Sequence, residues 1–402
     1  MRQESRSNWL TILQLILSAG TGLLLVLVST GGLLLLQAGR MSGLFSAPDL
    51  QLGSALLFLA GMGFAGMLLM PSALTAAARL FDFELPWLAG WRGSVWLIGL
   101  IPPLLMLGYL ADLYPSRASG LLPVAHVLVN GVIVFWLIHL VVNGLEKGSD
   151  QRFWGIFGSG LVLSPLLSLV MEILLLVAVV LVWSLVLARN RGFNQELLQL
   201  LEQLSSPGIP AEDWEETLGS YLTRPGVVGS VVLYIALLIP LVEEALKVVG
   251  LFLLLDRDLG PREGFILGAV SGAGYALFEN LALASSTGMW LEIVISRWGT
   301  TSVHILASGL VGWGLISAVK RGRTHRLVFS YLAAVLVHGL WNALNVLLVL
   351  SSLPAAGLPS FVDDLGLFAP AGLVVLAVGC FLGLIRVNIF YKRAIMAQVN
   401  HS

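Results

Sequence analysis

Cysteine is nearly missing from these 402 residues: Cys380 stands alone, which excludes an internal disulfide and any metal cluster built on thiolates. Charge is scarce too. Only 11% of the residues are Asp, Glu, Lys or Arg, and the 22 basic and 23 acidic side chains nearly cancel to a net charge of −1. The basic residues sit scattered in short loops, so no arm or patch offers itself to nucleic acid. Internal repeats and low-complexity tracts are also lacking, which excludes solenoids and biased linkers. What is present is apolar: 57% of the chain is hydrophobic and mean hydropathy is +0.91, well beyond a soluble domain.

A hydrocarbon core needs roughly 20 apolar helical residues to cross, and such stretches recur near 9–36, 51–77, 94–112, 121–145, 154–188, 227–255, 264–286, 289–319, 327–350 and 366–390. The expected fold class is therefore all-α: a polytopic integral membrane helical bundle of about ten transmembrane helices. Lys and Arg placement gives an orientation. With the N-terminus cytoplasmic, the inside segments hold Arg2, Arg6, Arg79, Arg92, Lys147, Arg152, Arg257, Arg262, Lys320, Arg321, Arg323, Arg326, Arg386, Lys392 and Arg393, and the outside ones only Arg40, Arg117, Arg189, Arg191 and Arg224. That bias predicts both N- and C-termini in the cytoplasm. Arg2 and Arg6 precede an apolar run too long for a signal peptide, read as a retained anchor.

Four regions follow: an N-terminal membrane region of about five helices (1–188), a polar extracytoplasmic connector with short amphipathic helices (189–226), a four-helix core (227–350), and a C-terminal helix with a cytoplasmic tail (351–402). Within 154–188, Pro165 leaves two readings, one long span or a re-entrant piece followed by a span.

The four-helix core carries ionisable groups at mid-height, where they are costly and usually functional. "LIPLVEEALKVVG" holds Glu243, Glu244 and Lys247. Adjacent helix positions diverge by about 100°, while Lys247 lies one turn from both glutamates. Glu244 is thus expected to neutralise Lys247, leaving Glu243 to face a cavity. In "SGAGYALFENLA", Ser271, Tyr275 and Glu279 form one polar stripe, Asn280 is positioned to bond across, and Gly268, Gly272 and Gly274 admit a close neighbour. "SRWGTTSVHILASG" aligns Arg297, Thr300, Thr301, His304 and Ser308 on one face, and "LVHGLWNALN" aligns His338, Asn342 and Asn345. Arg297 is expected to be a counter-charge for a carboxylate. Outside this core, His126, His139 and Glu172 are read as structural.

Counted from the nearest charged loops, Glu243, Glu279, His304 and His338 all lie roughly 18 to 24 Å deep, a common level. Carboxylates beside imidazoles and an amide, sealed from bulk water, suit amide hydrolysis: a carboxylate takes a proton from water, and the other groups donate to the oxyanion. The same groups suit a metal that activates water. They also suit a proton-coupled transporter, or the polar core of a noncatalytic scaffold or receptor.

At these residues the chain resembles the PrsW-type intramembrane proteases, within the wider superfamily of CAAX prenyl endopeptidases. The resemblance rests on "EEALK", "YALFEN", the span with Arg297 and His304, and "HGLWN", in family order on four successive helices over about 227–350. It implies a membrane-embedded endopeptidase in the plasma membrane, cleaving a single-span, anti-sigma-factor-like protein, with the lipid bilayer as its other partner. It also implies roles: Glu243 as the water-activating base beside Glu244, Glu279 as a second carboxylate, His338 and Asn342 as oxyanion donors, and His304 as a further donor or ligand. Lys247, Tyr275, Asn280 and Arg297 would support them. No cofactor is required by this chemistry. Zinc is the ion such donors suit, on Glu243, Glu279, His304 and His338, and glutamate-only and metal-assisted hydrolysis both remain open. The CAAX endopeptidases place histidine where Glu279 stands and arginine one position after Lys247, which argues against a prenylated substrate.

Overall fold

A computed structural model describes residues 2–42, 50–86, 88, 94–114, 120–145, 148–187, 195, 198, 202, 225–283, 289–352 and 360–399. Among them all regular structure is helical. In chain order the helices are α1 (Arg2–Met41), α2 (Leu50–Phe81), a 3₁₀ turn (Val95–Leu100) running into α3 (Ile101–Leu113), α4 (Leu121–Val142), α5 (Asp150–Gly158), α6 (Ser164–Leu187), α7 (Pro225–Leu233), α8 (Ile239–Leu246), α9 (Val249–Phe252), α10 (Pro261–Ala282), α11 (Trp290–Arg321), α12 (Thr324–Ser352) and α13 (Ser360–Val399). Among the described residues ten helical stretches are long and apolar enough to cross a membrane, so this is a multi-pass membrane protein. The stretch from Asp150 to Leu185 is one of them, a single 36-residue helical run rather than two. The 189–226 connector lies almost wholly outside the described residues.

Two wide turns interrupt the ladders, and both stand just before a proline. Ser159–Leu163 and Tyr234–Leu238 are π-helical, and they close with Ser164 N–H donating to Ser159 O and Ile239 N–H donating to Tyr234 O. The next residue in each case, Pro165 or Pro240, has no N–H to continue the pattern. One carbonyl per turn is thereby released from the ladder.

The chain forms two compact units, the first from 1–165, 244–334 and 377–402, the second from 166–243 and 335–376. In the first unit α10, α11 and α4 are central, 83%, 72% and 72% buried over their apolar windows. Their aliphatic positions, such as Val129, Ile133, Leu137, Ile266 and Ile305, pack with Phe153 and Phe157 of α5 into one core. Buried polar groups bond among themselves. Gln14 Nε2 donates to Ser72 O and Oγ at 3.1 Å, and Gln151 Nε2 donates to Gln14 Oε1 at 3.1 Å, which ties α1, α2 and α5 together.

α10 crosses α11 closely. Gly264, Gly268 and Gly272 meet Gly312, Ser308 and the backbone of His304; a Cβ on Gly272 would lie 2.5 Å from His304 O, and one on Gly312 would strike Gly264 O. Backbones this close need residues without side chains. Gly312→Leu is expected to cost about 3 kcal/mol, the upper end of overpacking effects. Gly379→Leu, where an added Cβ meets nothing within 4 Å, should leave stability unchanged. Thermal unfolding of both variants in detergent checks the contrast.

In the second unit, Val228 and Leu350 share a small core with Val232, Val346 and Leu347. Trp183 Nε1 donates to Ser230 Oγ at 2.8 Å, and Tyr234 Oη donates to Glu172 O at 2.8 Å. Glu172 therefore anchors the second unit through its backbone.

Candidate functional site

The predicted polar residues fall into two groups, one in each unit. Glu244, Lys247, Tyr275, Glu279, Asn280, Arg297 and His304 belong to the first, and Glu243, His338 and Asn342 to the second. The division runs through α8, between Glu243 and its neighbour Glu244.

In the first unit Lys247 is the hub. It is fully buried, and its Nζ lies 2.6 Å from Glu244 Oε1 and 2.7 Å from His304 Nδ1, over the Tyr275 ring at 4.6 Å. The local sequence explains how a lysine holds this post. α8 stops at Leu246, Val248 has φ −96° and ψ 12°, and α9 begins at Val249, so Lys247 occupies a helix break. Its carbonyl accepts from Ser271 Oγ of α10 and, at 3.4 Å, from Ser164 Oγ. Those side chains satisfy the carbonyl at the break.

From His304 the network continues to α10. His304 Nε2 lies 2.9 Å from Glu279 Oε2, and Arg297 Nη2 donates to the same oxygen at 2.6 Å. Arg297 Nε donates to Asn280 Oδ1 at 2.8 Å, Asn280 Nδ2 to Thr301 Oγ1 at 3.0 Å, and Thr301 Oγ1 to Arg297 O at 2.7 Å. An ammonium has no lone pair, so Lys247 must donate and His304 Nδ1 must accept. This fixes His304 as the neutral tautomer with its proton on Nε2, directed at Glu279. Two carboxylates face two cations, and the set is neutral overall, which makes its burial in a membrane tolerable. Both nitrogens of His304 are engaged, so it ligates an ion only by giving one of them up.

In the second unit Glu243 Oε2 and His338 Nε2 stand 3.8 Å apart on α8 and α12, 5% and 3% exposed. This exceeds a direct hydrogen bond. Asn342 Nδ2 donates to Ile235 O at 3.0 Å. That carbonyl is the one a five-residue π bond from Pro240 would have filled, so Asn342 satisfies the group that the proline releases. One of its two N–H groups is thereby committed to the backbone. α12 approaches this turn closely because Gly339 faces Ala236 O, where a Cβ would not fit. Asn345 turns away and donates to Trp341 O of its own helix at 2.8 Å.

His126 accepts from Trp290 Nε1 at 3.2 Å on Nδ1 and stands beside the backbone of Asn280 and Leu281. Sequence reasoning missed the roles of Ser164 and Ser271 toward Lys247, because it expected the 227–255 span to loosen at Pro240 and not to break at Lys247. The only available signal was the pair of flanking prolines, Pro165 and Pro240.

Chemically, the second unit offers a carboxylate beside an imidazole within the membrane-spanning segments, and the first offers a neutral relay of two ion pairs joined through a histidine. Residues 210–371 match a family model described as PrsW family intramembrane metalloprotease. No curated protein and no solved structure matches the chain.

Proposed function

On the match of residues 210–371 to the PrsW family model, we propose that this chain hydrolyses a peptide bond in a single-span membrane protein of the anti-sigma-factor kind, using water activated by Glu243. The observation that carries the reading is the difference between two adjacent glutamates. Glu244 is consumed by Lys247 at 2.6 Å, whereas the Glu243 carboxylate stands 3.8 Å from the His338 imidazole. We therefore assign Glu243, beside an imidazole, as the base and Glu244 as the counter-charge of Lys247.

In this mechanism Glu243 removes a proton from water, the water oxygen attacks the scissile carbonyl carbon, and an N–H of His338 steadies the resulting oxyanion, assisted by the second N–H of Asn342. Glu243 then returns the proton to the departing amine as the C–N bond breaks. Glu279 and His304 are assigned as a second carboxylate and imidazole for the same reaction, held by Arg297, Asn280 and Lys247. We further assign both termini to the cytoplasm, on the loop charges, and the protein to the plasma membrane, on the family resemblance.

The family description names a metal. Within the second unit Glu243 and His338, a carboxylate and an imidazole, are donor types that would hold a catalytic zinc. A bound ion would supply acidified water in place of water activated by a carboxylate alone.

The test is purified full-length protein in liposomes with tagged single-span substrates, with and without a zinc chelator. Cleavage lost in Glu243→Gln supports the reading, and cleavage unchanged in that variant overturns it. Activity that survives chelation assigns the glutamate-only form, and activity restored by zinc after chelation assigns the metal form.

A further inference from the structure

A groove of about 370 Å³ opens on the first unit between α10, α11 and α13, lined by Phe265, Leu310, Trp313, Arg386, Phe390 and Tyr391. Its volume is at the small end of ligand pockets. Its floor is aromatic: the Phe265 and Tyr391 rings are 6.1 Å apart, and those of Phe390 and Tyr391 are 5.5 Å apart. All three helices are membrane spans, and the α13 face beside the groove carries Leu382, Ile389 and Phe390, each at least 41% exposed. That face looks onto lipid.

Arg386 is out of place there. It is exposed on the same apolar face, and no carboxylate among the described residues pairs with it. The nearest helix-end charges, Lys392 and Arg393, lie roughly 9 Å further along α13. A second cation flanks the groove, since Arg326 Cζ sits 5.2 Å from the Trp313 ring centroid. The level is interfacial, because α10 begins and α11 ends at this end of the unit, with Arg262 in the first turn of one and Lys320 and Arg321 in the last turn of the other. Trp and Tyr favour that depth.

We propose that the groove seats an anionic phospholipid, with an acyl chain against Phe265, Leu310 and Phe390 and its phosphate on Arg386. A guanidinium meets a phosphate through two parallel N–H bonds, and basic pockets between spans are suited to anionic headgroups. A zwitterionic lipid carries its own cation and gains less from a second one. The site is separate from the proposed protease residues, so it stands or falls independently of the catalytic reading.

Bromine quenching of tryptophan tests it. Purified protein in detergent is titrated with dibromo-phosphatidylglycerol or dibromo-phosphatidylcholine, and subtracting the Trp313→Phe signal isolates Trp313 from the 12 tryptophans. The expected result is quenching at roughly tenfold lower mole fraction of the glycerol lipid, the effect of one charge-assisted contact. Arg386→Gln should bring the two lipids within about twofold, with phosphatidylcholine quenching unchanged as the internal sign that the groove is intact. Arg386→Lys, which keeps the charge, should retain part of the preference. Equal quenching by both lipids in the parent protein would overturn the proposal. So would a preference that persists in Arg386→Gln, or competition by inorganic phosphate alone, which would make the site one for a free anion.

Discussion

Glu243→Gln is expected to lower the rate of substrate cleavage by about 10²- to 10⁴-fold, the range for loss of a positioned general base, while leaving KM and thermal stability near their starting values. The amide is isosteric with the carboxylate and still bonds, but it cannot accept a proton from water. The adjacent change, Glu244→Gln, should show the reverse pattern. It leaves Lys247 fully buried without its carboxylate, so the loss appears in stability before it appears in chemistry. His338→Ala should fall with Glu243→Gln, in rate rather than in folding. Initial rates in proteoliposomes, read beside unfolding temperatures in detergent, separate the two classes. A Glu243→Gln protein that cleaves normally would remove Glu243 from the base role, whatever happens at Glu244.

Much of this was legible in the chain because membrane insertion makes polar side chains expensive, and expense leaves a pattern. The ten apolar runs follow from helix length against bilayer thickness. The pairing of Glu244 with Lys247 follows from one helical turn between them, and the contact of Arg297 with Glu279 from two stripes on consecutive spans. Backbone interruptions were legible only in part, because Pro240 signals a loosened ladder and Pro165 a divided span while the π geometry itself leaves no signature. A π turn has no composition of its own, and a proline in a transmembrane helix usually signals only a kink. The break at Lys247 was hidden for a related reason: Val248, Val249 and Gly250 are weak helix formers that transmembrane helices nonetheless accommodate, and the break is held by Ser164 and Ser271, residues distant in sequence. The same blindness affected Asn342. Its stripe with His338 was visible, but its bond to Ile235 O depends on a carbonyl that only the Tyr234–Leu238 turn and Pro240 set free.

Lys247→Met is expected to cost about 3 to 5 kcal/mol, the range for removing one partner of a buried ion pair. The Lys247 ammonium and the Glu244 carboxylate both have 0% side-chain exposure, so neither is compensated by solvent when the other is lost. The change also removes the donor to His304 Nδ1, freeing the imidazole to invert its tautomer and withdraw its N–H from Glu279. Two distinct losses are therefore superposed. Adding Glu244→Gln to Lys247→Met removes the uncompensated charge but does not restore the donor to His304. The double variant should recover more than half of the stability lost in Lys247→Met, since a buried pair replaced on both sides is often close to neutral. Cleavage should stay reduced in the double variant, because the orientation of His304 toward Glu279 is still lost. Unfolding of the four proteins of this cycle in detergent gives the coupling. Additive single effects would mean that Lys247 and Glu244 do not hold each other, and that the charge of Lys247 is spent on His304 alone.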